Sequence, residues 1–251
     1  MNTLQLDVRH QPPEAVDFEV PTGWVWIERG QQRAALFTPD EVDPDTRYPL
    51  LVVLHGAGRQ DEALIKGWKA EAERRQAFVL IPRSFYMTWD LIAMGMQGAS
   101  GTSPEGEEPG SESPDLDFLA FALDLVYRRY PIDSGRQGLV GYSDGASYAV
   151  SVGLSNPHLF RAVMAWAAGF LALDEETAAP DTPRPHVFVE YGTHDELFPF
   201  ERVALGMKKQ LEDLGCPLVF QVDEGGRHWP SSTFQEEALD WFFSEPWQRR
   251  S

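Results

Sequence analysis

The sequence predicts an α/β fold with a mostly parallel sheet and helices on both faces. Apolar runs of strand length alternate with segments of helical spacing along most of the chain. Several runs are continuous enough to be buried on both faces, which is typical of parallel sheets. Alternation of this kind is characteristic of repeated strand–helix–strand units. With 251 residues and 43% hydrophobic content, the chain is long enough for one large domain, residues 1–251.

The predicted strands are the apolar segments 34–39, 49–55, 77–82, 137–142, 161–168, 186–192 and 218–223. The predicted helices are 61–76, 115–130, 144–155, 201–214 and about 231–243. Acidic residues begin the first of these helices, where they complement the helix dipole. Ser113 or Asp115 is expected to open the second helix, and Pro131 to stop it.

Two segments are less regular. The N-terminal 33 residues contain "GWVWIERG" (23–30), which predicts a hairpin at the edge of the sheet. Residues 98–114, "GASGTSPEGEEPGSESP", are rich in Gly, Ser, Pro and Glu, which cannot build a core. We expect a mobile surface loop there, in a position to act as a lid.

Composition restricts the class of partner. The net charge of −18 disfavours nucleic acid and anionic membranes as partners. The sequence has no apolar run of about 18 residues, and its first residues lack the pattern of a secretory signal. The single cysteine, Cys216, excludes an internal disulfide and fits a reducing compartment. We therefore expect a cytoplasmic protein, and we leave open whether it forms a homodimer.

A candidate nucleophile lies in "GLVGYSDGASYAV" (138–150). Gly141-x-Ser143-x-Gly145 follows a predicted strand and opens a predicted helix, which is the setting of a nucleophile elbow. In such a turn the serine takes a strained conformation, and glycines let the neighbouring backbone pass close by. The pattern predicts that Ser143 is a catalytic nucleophile.

A serine hydroxyl needs a base, which in this arrangement follows it in the chain. The four histidines after Ser143 are His158, His186, His194 and His228. His158 is expected at a helix exit and His186 at the start of a strand. His228 follows the last strand, at the carboxyl edge where ligands bind in such sheets. We therefore predict that His228 is the base.

The base in turn needs an acid to orient it. Asp195 follows the strand before the last, in "YGTHDELFP", and is the predicted acid, with Glu196 as a second choice. Glu190 lies inside that strand. His194 is interpreted as a loop histidine beside the acid, because no acid follows it where one would be needed as its partner.

Acyl transfer also needs N–H donors for the oxyanion. One is predicted to be the backbone N–H of Asp144, directly after the nucleophile. The other is predicted in "HGAG", where Gly56 allows the turn and Ala57 donates, with Gly58 as the alternative. His55 is interpreted as a residue that braces this loop.

Six motifs occur in the order found in α/β-hydrolase esterases: "LVVLHGAG", "TWD", "YPID", "GYSDGA", "YGTHDELFP" and "GGRHWP". Over residues 34–243 the sequence resembles the predicted phospholipase/carboxylesterase group and the polyhydroxybutyrate depolymerase-like esterases. The resemblance implies an α/β-hydrolase fold with an eight-stranded-type sheet. It also implies ester hydrolysis through an acyl-enzyme, with Ser143, Asp195 and His228 as the triad.

The chain also departs from these relatives. Secreted depolymerases are similar in the core but usually carry signal peptides and disulfides, and Ala57 stands where some of them have a cysteine. Dienelactone hydrolases look related but use a cysteine nucleophile. We therefore expect a serine carboxylesterase acting on a small or medium uncharged ester. The same triad would serve a thioesterase or an acyltransferase, and a catalytically silent fold used for binding is the third hypothesis.

The substrate pocket is expected in part from "SFYMTWDLIAMGMQG" (84–98), which emerges at the same edge of the sheet. Aromatic residues beside the triad are expected to contact substrate. The candidates are Trp89, Tyr142, Phe198 and Trp229, with Phe85, Tyr86, Met94 and Met96 as further pocket residues of that segment. No cofactor or metal is expected, because no two histidines have ligand spacing and Cys216 stands alone.

Overall fold

A computed structural model describes residues 4–11, 21–95, 104, 106, 108–179 and 181–244. Backbone contacts divide the chain into two compact units. The first is Gln5–Gln137, and the second is Gly138–Ser251 together with Met1–Leu4. The single-domain organisation stays a prediction. So do the mobility and the lid role of residues 98–114, because 98–103, 105 and 107 lie outside the described residues.

The first unit places its first four strands in the order β1-β2-β4-β3. The elements are β1 (Gly23–Arg29), β2 (Gln32–Thr38), β3 (Tyr48–Leu54), α1 (Asp61–Arg75), β4 (Phe78–Pro82), α2 (Asp90–Gly95) and α3 (Pro114–Arg129). β2 pairs antiparallel with β1 and with β4, whereas β3 and β4 are parallel. β1 and β2 form the expected hairpin, with β1 at an edge of the sheet.

The second unit contains four consecutive strands that pair in parallel, in the order β5-β6-β7-β8. The elements are β5 (Ile132–Tyr142), α4 (Asp144–Ser155), β6 (Ala162–Trp166), β7 (His186–Gly192), α5 (Ala204–Asp213), β8 (Leu218–Asp223) and α6 (Ser232–Ser244). β5 begins in the first unit and ends here. The eight strands, mostly parallel, and the helices between them confirm the predicted α/β class.

Several strand ends differ from the prediction, and the structure explains two of these differences. β5 begins at Ile132 rather than at 137, although "DSGR" has the composition of a turn. Asp133 satisfies polar groups within that segment, because its carboxylate accepts from the Gly135 N–H (2.8 Å) and from Arg136 Nε (2.7 Å). β6 ends at Trp166 rather than at 168, because the backbone of Ala167 turns to a φ of 54°.

Helix α2 was not predicted, and contacts distant in sequence explain it. Asp115 accepts from the backbone N–H groups of Phe85 (2.6 Å) and Asp90 (2.7 Å), and Asp90 accepts from the N–H of Asp115 (3.0 Å). The two carboxylates therefore satisfy the N-termini of α2 and α3 reciprocally. Asp115 serves α2 rather than opening its own helix, which begins at Pro114, and Ser113 makes no side-chain cap.

Burial is deepest in the central elements of each unit. Every residue of β3 and β4 is buried in the first unit. In the second unit, every residue of α4 after its first is buried. Among the described residues, no helix is long and apolar enough to cross a membrane.

Candidate active site

Ser143 occupies a sharp turn between β5 and α4. Its backbone angles are φ 55° and ψ −118°, a conformation that residues with a side chain rarely adopt. The Ser143 N–H donates to the Trp166 carbonyl (2.9 Å), and the Ser143 carbonyl accepts from the Ser147 N–H (3.0 Å). The strained conformation is thus held on both sides, by β6 and by the first turn of α4.

Position 141 must be glycine because the backbone of the first turn of α4 passes close to it. A Cβ atom at Gly141 would lie 2.1 Å from the Gly145 carbonyl oxygen and 2.6 Å from the Ala146 nitrogen. Because these are backbone atoms, no rotamer change could relieve the clash. The first glycine of Gly141-x-Ser143-x-Gly145 therefore allows the helix to start directly above the strand.

The structure brings together the three residues that the sequence singled out. His228 Nε2 lies 2.9 Å from Ser143 Oγ, and His228 Nδ1 lies 2.7 Å from Asp195 Oδ2. Asp195 Oδ1 accepts from the N–H groups of Leu197 (2.8 Å) and Phe198 (2.9 Å). With both oxygens of the buried Asp195 occupied as acceptors, Nδ1 of His228 is the protonated nitrogen. Nε2 is then left to accept the Ser143 proton.

Asp195 and His228 lie in two loops whose backbones are hydrogen-bonded to each other. The His194 N–H donates to the Gly226 carbonyl (2.7 Å), and the Thr193 N–H donates to the Asp223 carbonyl (3.0 Å). A Cβ at Gly192 would lie 2.3 Å from the Gly226 carbonyl oxygen, so this position also needs glycine. The close contact fixes the loop of His228 against the loop of Asp195.

Two of the competing candidates, His194 and Glu196, lie at the surface. His194 and Glu196 are both exposed, and the hydrogen bond from His194 to Gly226 is made by its backbone. Their positions agree with the interpretation of His194 as a loop histidine and with the preference for Asp195 over Glu196.

A stripe of serines on α4 was missed in the sequence. The Ser147 hydroxyl accepts from the Gly169 N–H (2.8 Å), and the Ser151 hydroxyl accepts from the Ala172 N–H (3.0 Å). These bonds hold the segment after β6 against α4, the helix that begins directly after Ser143. The signal was present in the sequence as serines at 143, 147, 151 and 155, spaced by one helical turn.

Two aromatic rings of the second unit, Tyr142 and Phe198, contact the His228 ring. The Tyr142 and Trp229 rings are stacked, with centroids 4.1 Å apart and planes 17° apart. Phe198 meets the His228 ring edge-on, with centroids 5.1 Å apart. Trp229 is 62% exposed. Three of the four aromatic candidates for substrate contact, Tyr142, Phe198 and Trp229, therefore lie close to His228 or next to it in the chain.

Trp89, the fourth candidate, is buried in the first unit. Its side chain is 2% exposed, and its indole N–H donates to the His55 carbonyl (2.8 Å). The Trp89 ring is stacked on the His55 ring, with centroids 4.6 Å apart. In this conformation Trp89 supports the loop that follows β3 and offers a substrate almost no surface.

Both ring nitrogens of His55 make hydrogen bonds that support the same loop. Its Nε2 accepts from the Ser84 N–H (3.0 Å), so Nδ1 carries the proton and donates to the Gly56 carbonyl (2.6 Å). Burial lowers the pKa of His55, which favours the neutral ring that these bonds require. The Gly58 N–H donates to the Met87 carbonyl (2.7 Å), so it is already used inside the loop. The pairing of Ala57 with Asp144 as oxyanion donors stays a prediction.

The described residues contain no group of three or more His, Cys, Asp or Glu side chains that could hold a metal ion. The arrangement found is one that activates a hydroxyl through an imidazole and a carboxylate.

Glu190 is a buried carboxyl that the triad does not use. It is 2% exposed in β7, and burial together with the charge of Asp223 raises its pKa from 4.5 to about 7. As the pH rises through this window, the unfolded chain loses the proton while the folded chain keeps it, so stability falls. Since one pKa unit is about 1.4 kcal/mol, the loss is about 3 kcal/mol above pH 8.

We therefore expect Glu190→Gln to remove this loss. The free energy of unfolding of the variant relative to the wild type should increase by about 3 kcal/mol between pH 4 and pH 9. Urea titrations at several pH values measure it, with Glu196→Gln, which alters an exposed carboxyl, as the control. A difference between variant and wild type that stays constant with pH would contradict a neutral, buried Glu190.

Comparison with known proteins agrees with this fold. Residues 29–204 match the model of the esterase family, whose description is "Putative esterase". The chain is similar to a thermostable esterase of known structure, with 23% identity and a TM-score of 0.65 over 88% of this chain and 62% of that one. It is similar to S-formylglutathione hydrolase of Staphylococcus aureus, with 15% identity and a TM-score of 0.64 over 88% of this chain and 98% of that one. It is also similar to S-formylglutathione hydrolase of Agrobacterium tumefaciens, with 15% identity and a TM-score of 0.63 over 97% of this chain and 99% of that one. No curated protein matches the sequence.

At these identities the solved structures show the fold, and the family match covers well over half of the chain. The fold and the family together define a serine ester hydrolase of the α/β-hydrolase class. The chain belongs to the esterase family. Its resemblance to α/β-hydrolase esterases, inferred from six short motifs, is thereby confirmed.

Proposed function

We propose that the protein is a carboxylesterase that hydrolyses small or medium uncharged esters through an acyl-enzyme on Ser143. One observation carries the proposal: the continuous hydrogen-bonded row from Ser143 Oγ through His228 to Asp195, with distances of 2.9 Å and 2.7 Å. A serine, a histidine and a buried carboxylate in this order form the arrangement that activates a hydroxyl for acyl transfer.

In the first half of the reaction, Ser143 Oγ attacks the ester carbonyl carbon while His228 Nε2 takes the hydroxyl proton. The bond between that carbon and the leaving oxygen then breaks, and His228 returns the proton to the departing alcohol. In the second half, water repeats these steps on the acyl-enzyme and releases the carboxylic acid. Asp195 stays ionised and stabilises the positive charge of His228.

The negative charge that develops on the carbonyl oxygen needs donors. We assign one of them to the backbone N–H group of Asp144, worth about 3 kcal/mol of barrier. Asp144 is the first residue of α4, so its N–H also lies at the positive end of the helix dipole.

The negative charge of the protein disfavours anionic substrates. Three glutamates, Glu196, Glu201 and Glu224, are exposed in the two loops that carry Asp195 and His228. The basic side chains of these loops, besides the histidines, are Arg202 and Arg227. The net charge of the chain as a whole is −18. A substrate with a carboxylate would approach against this field, and added salt would weaken the repulsion. The proposed substrate is therefore an uncharged ester of small or medium size.

A matched pair of substrates tests both parts of the proposal. p-Nitrophenyl butyrate and p-nitrophenyl hemisuccinate have acyl chains of equal length, but only the second is anionic. We expect kcat/KM for the neutral ester to be at least about tenfold higher at low salt, with the gap narrowing as salt is added. Rapid-quench mass spectrometry should find a butyryl group on the peptide that holds Ser143.

Preference for the anionic ester would contradict an uncharged substrate, and acylation of another residue would contradict the assignment of Ser143. Two of the similar solved structures are S-formylglutathione hydrolases, whose name denotes a thioester substrate. A butyryl thioester therefore belongs in the same panel. Faster turnover of the thioester than of the oxygen ester would favour a thioesterase using the same triad.

A further inference from the structure

We propose that Trp229, stacked on Tyr142, is a platform that binds an aryl ring in the alcohol part of the ester. The proposal rests on the proposed function and narrows it, because it makes esters of arylmethyl alcohols and phenols the favoured substrate class. Trp229 is then a specificity-determining residue next to the base, and its role is separate from the chemistry of the triad.

The platform is fixed in place by its partner. Tyr142 directly precedes the nucleophile and Trp229 directly follows the base, and their rings stack with centroids 4.1 Å apart. The centroid of the Tyr142 ring also lies 5.3 Å from that of His228. The indole is therefore held in one orientation before any ligand binds, which reduces the ordering cost of binding.

The exposed side of the platform is available to a ligand. Trp229 is 62% exposed, although one face of its ring packs on Tyr142. Single exposed apolar side chains are common and need no explanation. Trp229 differs in that it is held rigidly within one residue of the catalytic base. Stacked aromatic rings are worth about 0.5–1.5 kcal/mol beyond the area they bury.

The path of the proton indicates which part of the ester reaches the platform. His228 Nε2 must deliver a proton to the leaving oxygen, so the group attached to that oxygen departs beside His228. Trp229 is the next residue along the chain, whereas Phe198 contacts His228 edge-on from the loop of the acid. A planar ring on the alcohol carbon would therefore meet the indole, and the acyl group would extend away from it.

Two pairs of esters test the platform. Benzyl acetate and cyclohexylmethyl acetate have similar alcohols, but only the first has a planar ring. Methyl phenylacetate and methyl cyclohexylacetate place the same rings on the acyl side. The variants are Trp229→Leu, which removes the ring, Trp229→Phe, which keeps one, and Trp26→Leu, which changes an exposed tryptophan on β1.

We expect Trp229→Leu to lower the benzyl-to-cyclohexylmethyl ratio of kcat/KM about two- to tenfold. Trp229→Phe should keep most of the wild-type ratio, and Trp26→Leu should leave it unchanged. The ratio for the acyl-side pair should stay constant in all three variants. An unchanged alcohol-side ratio in Trp229→Leu would overturn the platform, and an equal fall in both ratios would overturn its assignment to the alcohol side.

Binding to Ser143→Ala separates this inference from the proposed function. NMR or fluorescence titration should show tighter binding of benzyl acetate than of cyclohexylmethyl acetate, and Trp229→Leu should abolish the difference. If the wild type hydrolyses neither ester but this binding preference is present, the proposed function fails while the aryl platform stands. Equal binding of the two esters to Ser143→Ala would overturn the platform whatever the activity.

Discussion

Ser143→Ala is expected to lower kcat by about a million-fold while leaving the fold intact. The hydroxyl is the only group removed, and the backbone bonds that hold the turn, to Trp166 and Ser147, do not involve it. Steady-state kinetics on p-nitrophenyl butyrate, with circular dichroism and urea unfolding of the same preparation, measure the two effects together. Residual activity within about a hundredfold of the wild type would contradict the assignment of Ser143 as nucleophile.

A second variant at the same position serves as control. Ser143→Gly also removes the nucleophile, but glycine adopts the positive φ of 55° without strain. Ser143→Gly should therefore be equally inactive and more stable than Ser143→Ala by about 1 kcal/mol. Equal stability of the two variants would indicate that the turn stores little strain.

Asp195→Asn is expected to lower kcat by about ten thousand-fold. The carbonyl oxygen of the new side chain could still accept from the Leu197 and Phe198 N–H groups, so the loop should keep its conformation. The amide nitrogen would donate to His228 Nδ1, which leaves the proton on Nε2, where the base must accept. The fold should survive while His228 is held in the inactive tautomer.

Glu196→Gln is the matched control for the acid, because it neutralises the neighbouring carboxyl, which is exposed. Its kcat should stay within about twofold of the wild type. The opposite ranking, with Glu196→Gln severely impaired and Asp195→Asn active, would assign the role of the acid to Glu196 instead of Asp195. Both variants are measured with the same ester at the pH of maximal activity.

Elements with a continuous local signal could be predicted closely from the sequence. β7 and β8 match their predicted bounds, and so does α4. A proline marks one boundary of each segment: Pro185, Pro217 and Pro157. α2 could not be predicted, because its N-terminus is satisfied by Asp115, twenty-five residues away. The early start of β5 likewise depends on hydrogen bonds of Asp133 that composition does not reveal.

In the candidate site, too, features set by local patterns could be predicted, whereas contacts between distant residues could not. The choice of Ser143, Asp195 and His228 followed from chain order and from the ends of predicted strands, which local patterns determine. The contact between the two loops at Gly192 could not be predicted locally, since it depends on the Gly226 carbonyl passing where a side chain would be. The stacking of Trp229 on Tyr142 is a contact of the same non-local kind.

Trp89 shows why the substrate pocket was the least predictable part. An apolar residue in a loop that follows a strand serves equally well as packing or as a pocket wall, and composition does not distinguish the two uses. Its hydrogen bond to the His55 carbonyl and its stacking on the His55 ring bury it beneath the loop.

The central claim is that Ser143 is an activated nucleophile, and fluorophosphonate labelling followed by peptide mass spectrometry tests it most directly. We expect a single adduct on Ser143 in the wild type, strong slowing of the labelling in Asp195→Asn, and none in Ser143→Ala. Folded wild-type protein that takes up no label, or takes it up on another residue, would contradict the account.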